Sequence, residues 1–285
     1  DEVLVPSPDY PLWSAATILN DGRPVFYRCH EGNGFLPDPV EIEALVSART
    51  RAIVLINPNN PTGANYPREL LERIVAIAAR HNLLLLCDEI YDSILYDENT
   101  FVPVAPIAGE VPCLSFGGLS KVHRACGWRV GWAVLSGDPK RSAEFRHAMD
   151  LLGALRLCAN VPAMYAVQTA LGGYQSINEL ILPGGRLLEQ RNAAWTALNS
   201  IPGVSCVKPK GAIYMFPKID RNYYDFADDQ QLILDFLIHY KVLLVQGTAF
   251  NWPHPDHARI VFLPVVDELN KAIDKFGQFL QRYAK

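Results

Sequence analysis

No apolar stretch in this 285-residue chain approaches the roughly 20 residues a bilayer-spanning helix needs, so no membrane association is expected. No basic run occurs and the formal net charge is −4, which argues against nucleic acid as a partner. There is no CxxC pair and no cysteine–histidine spacing of the metal-binding kind, so no metal site is expected. The six cysteines (Cys29, Cys87, Cys113, Cys126, Cys158 and Cys206) are scattered, several within apolar runs. They read as reduced packing residues of a cytoplasmic protein. Cys126 lies between Lys121 and Arg129 but is read as packing too, and His123 stands near Lys121 without an obvious partner. Internal repeats and low-complexity tracts are also missing. What remains is an ordinary globular composition, 49% hydrophobic and 20% charged, long enough for one large domain or a large and a small one.

Short β-rich runs alternate with helical stretches over the first half. Residues 2–5, 24–27, 52–56, 83–87, 113–116 and 130–135 read as buried strands. Residues 12–19, 39–48 and 67–80 carry helical periodicity, with Pro67 suited to a first helical position. Near-continuous apolar strands separated by helices imply an α/β fold with a mostly parallel sheet covered on both faces. Ligands in such sheets bind beyond the carboxyl ends of the strands. After Asp138 the pattern turns mostly helical, with helices expected over 144–155, 161–171 and 185–199. Short strands near 204–207, 213–216, 242–245 and 259–263, with helices over 228–239 and 266–282, complete a small α+β unit. The division is a large domain over 1–180 and a small one over 181–285.

The chemistry-bearing residues follow the strands. Ser115-Phe-Gly-Gly-Leu-Ser120-Lys121, with Arg129 downstream, is a glycine-rich turn carrying a hydroxyl, an amine and a guanidinium. Such a turn can hold an anion through backbone N–H groups, Ser120 and Arg129, with Lys121 placed to form a Schiff base with an aldehyde. The plainer reading is a solvated loop lysine. One molecule combining an anionic handle with an imine-forming carbon is pyridoxal 5'-phosphate. Asn57-Pro-Asn-Asn60-Pro61-Thr-Gly63 is either a rigid turn or a loop that aims the Asn60 amide at a ligand oxygen. Asp88 ends a run of leucines, where a carboxylate is costly unless paired; it caps a turn or meets a pyridinium nitrogen, with Tyr91 beside it for the ring's phenolic oxygen. Tyr10 is a candidate for packing on a cofactor ring, Trp13 is assigned to the core, and Arg259 opens a strand as either an ion-pair partner or a carboxylate clamp.

With these segments in place the chain resembles a fold-type-I, class-I/II aminotransferase of the glutamate–pyruvate (alanine) subgroup. PDYPLW, INPNNPTGA, DEIYD, GLSK, LCANVPA, ALGGYQSI, PGGRLLEQRN, MFPKID and VLLVQGTAFNWP carry the likeness over almost the whole length. The resemblance implies the pyridoxal-phosphate transferase fold of type I, with pyridoxal 5'-phosphate as cofactor and small amino acids and 2-oxo acids as substrates. It implies that Lys121 carries the cofactor and shuttles a proton, that Asp88 pairs with the ring nitrogen, and that Tyr91 and Asn60 bind the phenolic oxygen. Tyr10 would stack on the ring, Ser120 and Arg129 would hold the phosphate, and Arg259 with Asn60 would bind the substrate. A cis bond between Asn60 and Pro61, a homodimer and ping-pong kinetics are further implications.

Two departures from the family stand out. Relatives carry a further stretch upstream, including part of the small domain and the first strand and helix of the large one; a chain starting at Asp1 is expected to retain cofactor weakly. Gly118 stands where many relatives have serine, which removes one hydroxyl from the phosphate site. Other readings are another enzyme of the same fold, such as an aspartate or aromatic aminotransferase or a carbon–sulfur lyase, and a non-catalytic aminotransferase-like domain of a regulator.

Overall fold

A computed structural model describes residues 1–285. Its first part is built around a seven-stranded sheet. The strands are β1 (Glu2–Ser7), β2 (Arg23–His30), β3 (Leu36–Pro37), β4 (Thr50–Ile56), β5 (Leu84–Asp88), β6 (Cys113–Gly118) and β7 (Gly131–Ser136). They lie in the order β3-β2-β1-β4-β5-β6-β7. Strands β2, β1, β4, β5 and β6 run parallel, while β3 and β7 close the two edges antiparallel. The expected parallel sheet is thus present with an antiparallel strand on each side. Two of the strands expected to be buried are not: β7 is largely exposed, and β2 buries only Tyr27 and Cys29. An apolar run signals a strand but not its place in the sheet, and both lie toward the edges.

The connecting helices follow from their sequences. Helix α1 (Leu12–Leu19) links β1 to β2, and α2 (Pro39–Ala44) starts at Asp38, whose side chain accepts from the Val40 N–H with Pro39 in the first turn. This helix stops four residues before the expected end. Helix α3 (Arg68–His81) buries Leu70, Leu71, Ile74, Val75, Ile77 and Ala78 on one stripe and ends on Asn82 in the left-handed region (φ 53°). Its last turn is held by Arg80 and His81, both on Glu43. A short α4 (Val104–Ala108), like β3, has too few residues to show a period in the sequence.

Beyond β7 come α5 (Ala143–Arg156), α6 (Val161–Gly172), α7 (Ile177–Ile181) and α8 (Arg186–Asn199). Helix α5 buries no residue, and Leu151, Leu152 and Leu155 face outward. The remaining elements are β8 (Val204–Ser205), β9 (Tyr214–Met215), β10 (Lys218–Ile219), α9 (Asp229–Tyr240), β11 (Val245–Gln246), β12 (Ala258–Val261) and α10 (Val266–Leu280). Strands β11-β12-β9 form a small antiparallel sheet and β10 pairs with β8. Helix α8 is pinned to the first part of the chain by Arg191, a fully buried side chain whose two terminal nitrogens each lie 2.7 Å from an Asp97 oxygen.

Two hydrophobic cores result. One lies under the large sheet and takes Phe216 and Phe250 from the C-terminal part; the other gathers Leu187, Leu198, Phe236, Phe276 and Phe279 around Tyr91, Ile94 and Tyr96. Each core borrows from the other part of the chain, so the two are knitted together. No helix is long and apolar enough to cross a membrane.

Candidate active site

Register levels the central strands. Ile56 pairs with Asp88, and Asp88 with Phe116, so β4, β5 and β6 end side by side. The loops leaving them, together with that after β1, surround a cavity of about 710 Å³. Tyr10, Asn60, Asp88, Tyr91, Ser120, Lys121, Arg129 and Arg259 all line it. The structure therefore brings every sequence-predicted site residue to one place, and adds Trp13, Cys126 and Tyr214.

Asp88 is held at the mouth of β5. Its Oδ2 accepts from the Trp13 indole N–H at 3.3 Å and its Oδ1 from the Ile90 N–H at 3.4 Å. Burial pushes the carboxyl above the ordinary aspartate range, while these donors and the charge of Lys121 pull it back. Trp13 thus does more than fill space. It packs beside Val5, Val54 and Ile56 and edge-on to Phe116 (5.3 Å), yet its polar end serves the site carboxylate. Hydrophobicity assigned it to the core; its place in the segment directly after the first strand, three residues from Tyr10, was the signal available.

Lys121 follows β6, its amine 5.9 Å from the centre of the Tyr91 ring. The glycines before it serve a close strand approach: a Cβ on Gly117 would sit 2.4 Å from the Trp132 indole, and one on Gly118 3.0 Å from the Val130 carbonyl oxygen. A serine at Gly118 would need its neighbour to yield. Arg129 caps a 3₁₀ turn over Cys126–Trp128 in the left-handed region (φ 54°) and donates to the Cys126 carbonyl at 2.8 Å. Cys126 is exposed, with its thiol on the Ser120 carbonyl (2.9 Å), so the expected packing role fails. It ties Ser120 and Arg129 into one turn instead.

The Asn60 loop is braced from within. Asn57 accepts from the Tyr66 N–H at 2.8 Å, and Asn59 accepts from the Thr62 backbone and hydroxyl at 3.2 and 2.8 Å. The Asn60–Pro61 bond is cis, as the resemblance implied, and Ser7–Pro8 and Asn57–Pro58 are cis as well. Asn60 receives the only side-chain hydrogen bond of Arg259, at 3.1 Å. That guanidinium lies between the rings of Tyr214 (4.7 Å) and Phe250 (4.6 Å), and its buried Nε has no partner. Burial lowers its pKa from the usual arginine value. An ion-pair role finds no carboxylate here; the acceptor is a neutral amide. Tyr91, 2% exposed, shares a 2.6 Å hydrogen bond with the Tyr214 hydroxyl, and burial raises the Tyr91 pKa. Nothing in the short strand-like run around Tyr214 distinguished it from core.

The profile of the family described as "Aminotransferase class I and II" matches residues 1–276. The "Glutamate-pyruvate aminotransferase AlaA" of Escherichia coli (strain K12) is 57% identical over 283 residues, 99% of this chain and 70% of that protein. A crystal structure of an aminotransferase from Escherichia coli superposes with a TM-score of 0.98 at 56% identity, covering 100% of this chain and 70% of the other. An alanine aminotransferase structure from Pyrococcus furiosus gives 0.94 at 38% identity, over 99% of this chain and 70% of the other.

Proposed function

Because the chain belongs to the class I and II aminotransferases, a family dependent on pyridoxal 5'-phosphate, we propose that it exchanges an amino group between alanine and 2-oxoglutarate, giving pyruvate and glutamate, reversibly and by a ping-pong route. The observation that carries the reading is the convergence of an amine, a carboxylate and a clamped guanidinium, Lys121, Asp88 and Arg259, on one cavity.

The residues fit the cofactor. A buried carboxylate with no salt-bridge partner, a hydroxyl and a guanidinium on the same wall for an anion, and an orphaned arginine nitrogen are the complements that cofactor and substrate need. When bound, pyridoxal 5'-phosphate supplies an aldehyde that captures amines and a protonated ring that accepts the electron pair released at Cα. Lys121 Nζ would hold the cofactor through its aldehyde carbon, and its free amine would be the base positioned to take the Cα proton and deliver it to the carbon across the nitrogen. Such acid–base help contributes about 10²–10⁴-fold. The Asp88 carboxylate keeps the ring nitrogen protonated. Tyr91 and Asn60 donate to the phenolic oxygen, Tyr10 covers the ring face, and Ser120 and Arg129 take the phosphate. Arg259 binds the α-carboxylate and so fixes the Cα–H bond for proton removal.

The same reading places the enzyme in the cytoplasm, supported by buried unbridged thiols such as Cys87 and Cys113, 3.7 Å apart. It pairs two copies into a homodimer, supported by the apolar outward face of α5. It assigns cofactor binding to residues 1–180 and the Arg259 clamp to a smaller unit over 181–285. Lys121→Ala is expected to abolish turnover and the visible imine absorbance on cofactor addition; a variant keeping both overturns the assignment. A donor screen with alanine, glutamate, aspartate and phenylalanine tests the substrate, and preference for either of the last two removes the alanine assignment.

A further inference from the structure

One buried carboxyl near the cavity has no part in the reaction described. Asp9 is fully buried and immediately precedes Tyr10, although no cation touches it. Its contacts all lead to the opposite end of the sequence. Its N–H donates to the Phe250 carbonyl at 2.9 Å, and its Oδ1 accepts from the Asn251 amide at 2.6 Å. That amide also donates to Ser14 Oγ at 2.9 Å, and Ser7 Oγ donates to the Asn251 carbonyl at 2.7 Å. Four hydrogen bonds thus join the β1–α1 segment bearing Tyr10 to Phe250 and Asn251, which end the 3₁₀ turn Gly247–Phe250. The beginning of that turn is fixed separately by Asp229, which accepts from the Thr248 N–H and hydroxyl at 2.9 and 2.8 Å.

Phe250 gives this joint its consequence. Its ring forms one face of the Arg259 sandwich, so the position of residue 250 sets the guanidinium. Tyr10 stands on the wall where the cofactor ring would lie. We propose that Asp9 and Asn251, with Ser14, are positioning residues: a hydrogen-bonded clamp that sets Tyr10 against the cofactor ring and Phe250 against Arg259 as one unit. The proposal rests on the cofactor reading above. A joint serving stability alone would be better made from neutral groups, because Asp9 Oδ2 is buried with no partner and such a group costs stability. A rigid link between the two binding surfaces is what that cost maintains.

The test uses the protein stripped of cofactor and then titrated with pyridoxal 5'-phosphate, following the imine absorbance, with KM for alanine and kcat measured after saturation. Asn251→Gly removes the amide while tolerating the left-handed backbone (φ 54°). Asp9→Ala removes the acceptor and Asp9→Asn keeps it. Asn251→Gly and Asp9→Ala are expected to weaken cofactor binding ~3–10-fold and raise KM by a similar factor, with kcat changed less than about twofold. Asp9→Asn should bind cofactor within about twofold of wild type. Ser14→Ala, which removes the acceptor for Asn251 and a 3.1 Å bond to the Pro11 carbonyl, should show the same pattern at the low end and serves if the stronger variants do not fold. A wild-type protein without the imine band overturns the cofactor reading and the clamp with it. A normal band whose affinity is unchanged in Asn251→Gly and Ser14→Ala, or equal damage from Asp9→Asn and Asp9→Ala, overturns the clamp alone.

Discussion

Asp9→Asn tests the electrostatics of the clamp through stability rather than through binding. Burial raises the Asp9 carboxyl from its ordinary 3.8 to about 6, against the pull of its hydrogen bond from Asn251. Between these values the folded protein holds a proton that the unfolded chain has released. Stability therefore falls as pH rises through this window, and is flat above about pH 7. The rise is roughly two units, worth about 3 kcal/mol at about 1.4 kcal/mol per unit, which is an upper figure for an enclosed group. Asparagine keeps the acceptor for Asn251 and cannot ionise, but it places a donor where Oδ2 has no partner, which offsets the gain by ~1 kcal/mol or more at every pH. The cleaner quantity is the difference between the two proteins. Urea denaturation of cofactor-free wild type and Asp9→Asn from about pH 4 to about pH 8 should show the variant gaining ~3 kcal/mol relative to wild type across the range. In melting temperature the relative gain is on the order of 5 °C for a chain of this size. Parallel profiles for the two proteins would refute the claim that Asp9 carries its proton to about 6 in the fold.

Two other substitutions address the cavity itself. Arg259→Lys keeps the charge but loses the planar fork, so KM for the amino acid should rise ~10–100-fold with a smaller change in kcat, by steady-state kinetics; an unchanged KM removes the carboxylate role. Trp13→Phe preserves most of the packing on Phe116 but leaves Asp88 with only the Ile90 N–H as donor. Since the indole bond lowers the Asp88 pKa, its loss raises it, and ionised Asp88 then disappears at a higher pH as the solution is acidified. The acid limb of cofactor affinity against pH should move upward in absorbance titrations; coincident limbs would show that Trp13 does not support the carboxylate.

The cavity was legible in the sequence to the extent that chemistry followed strand ends. Runs such as Ala52–Ile56 and Leu83–Cys87 are apolar nearly throughout, so the polar residue that breaks each one marks where a buried strand reaches its ligand-facing end. Asp88 and the loop bearing Asn60 were found this way, Lys121 by its glycine-rich turn, and the family likeness supplied their roles. Register was not legible. That Ile56, Asp88 and Phe116 stand level depends on pairing between strands, which no single run contains. The same limit hid Tyr214, which reaches Arg259 because β12 and β9 pair Val261 with Tyr214. It also hid the depth of each strand in the sheet, as the exposed β7 shows. Trp13 and Cys126 were missed for a different reason. Both were judged by residue type, and each has one polar atom directed at the site.

Charge gives the sharpest contrast between composition and place. The chain as a whole is acidic, with a net charge of −4, and on that basis nothing about an anionic ligand could be expected. Around the cavity the balance reverses: Lys121, Arg129 and Arg259 face one carboxylate, Asp88. Aromatic walls such as Tyr214, Phe116 and Trp13 lower the local dielectric and strengthen the field of the half-buried Lys121 and Arg259. Under the proposed function, a cofactor phosphate and a substrate carboxylate would neutralise such a surplus. The lone carboxylate on that wall is the counter-charge a protonated ring would need. Net charge sums over the whole surface, and the site is defined by the few charges the fold gathers around one cavity.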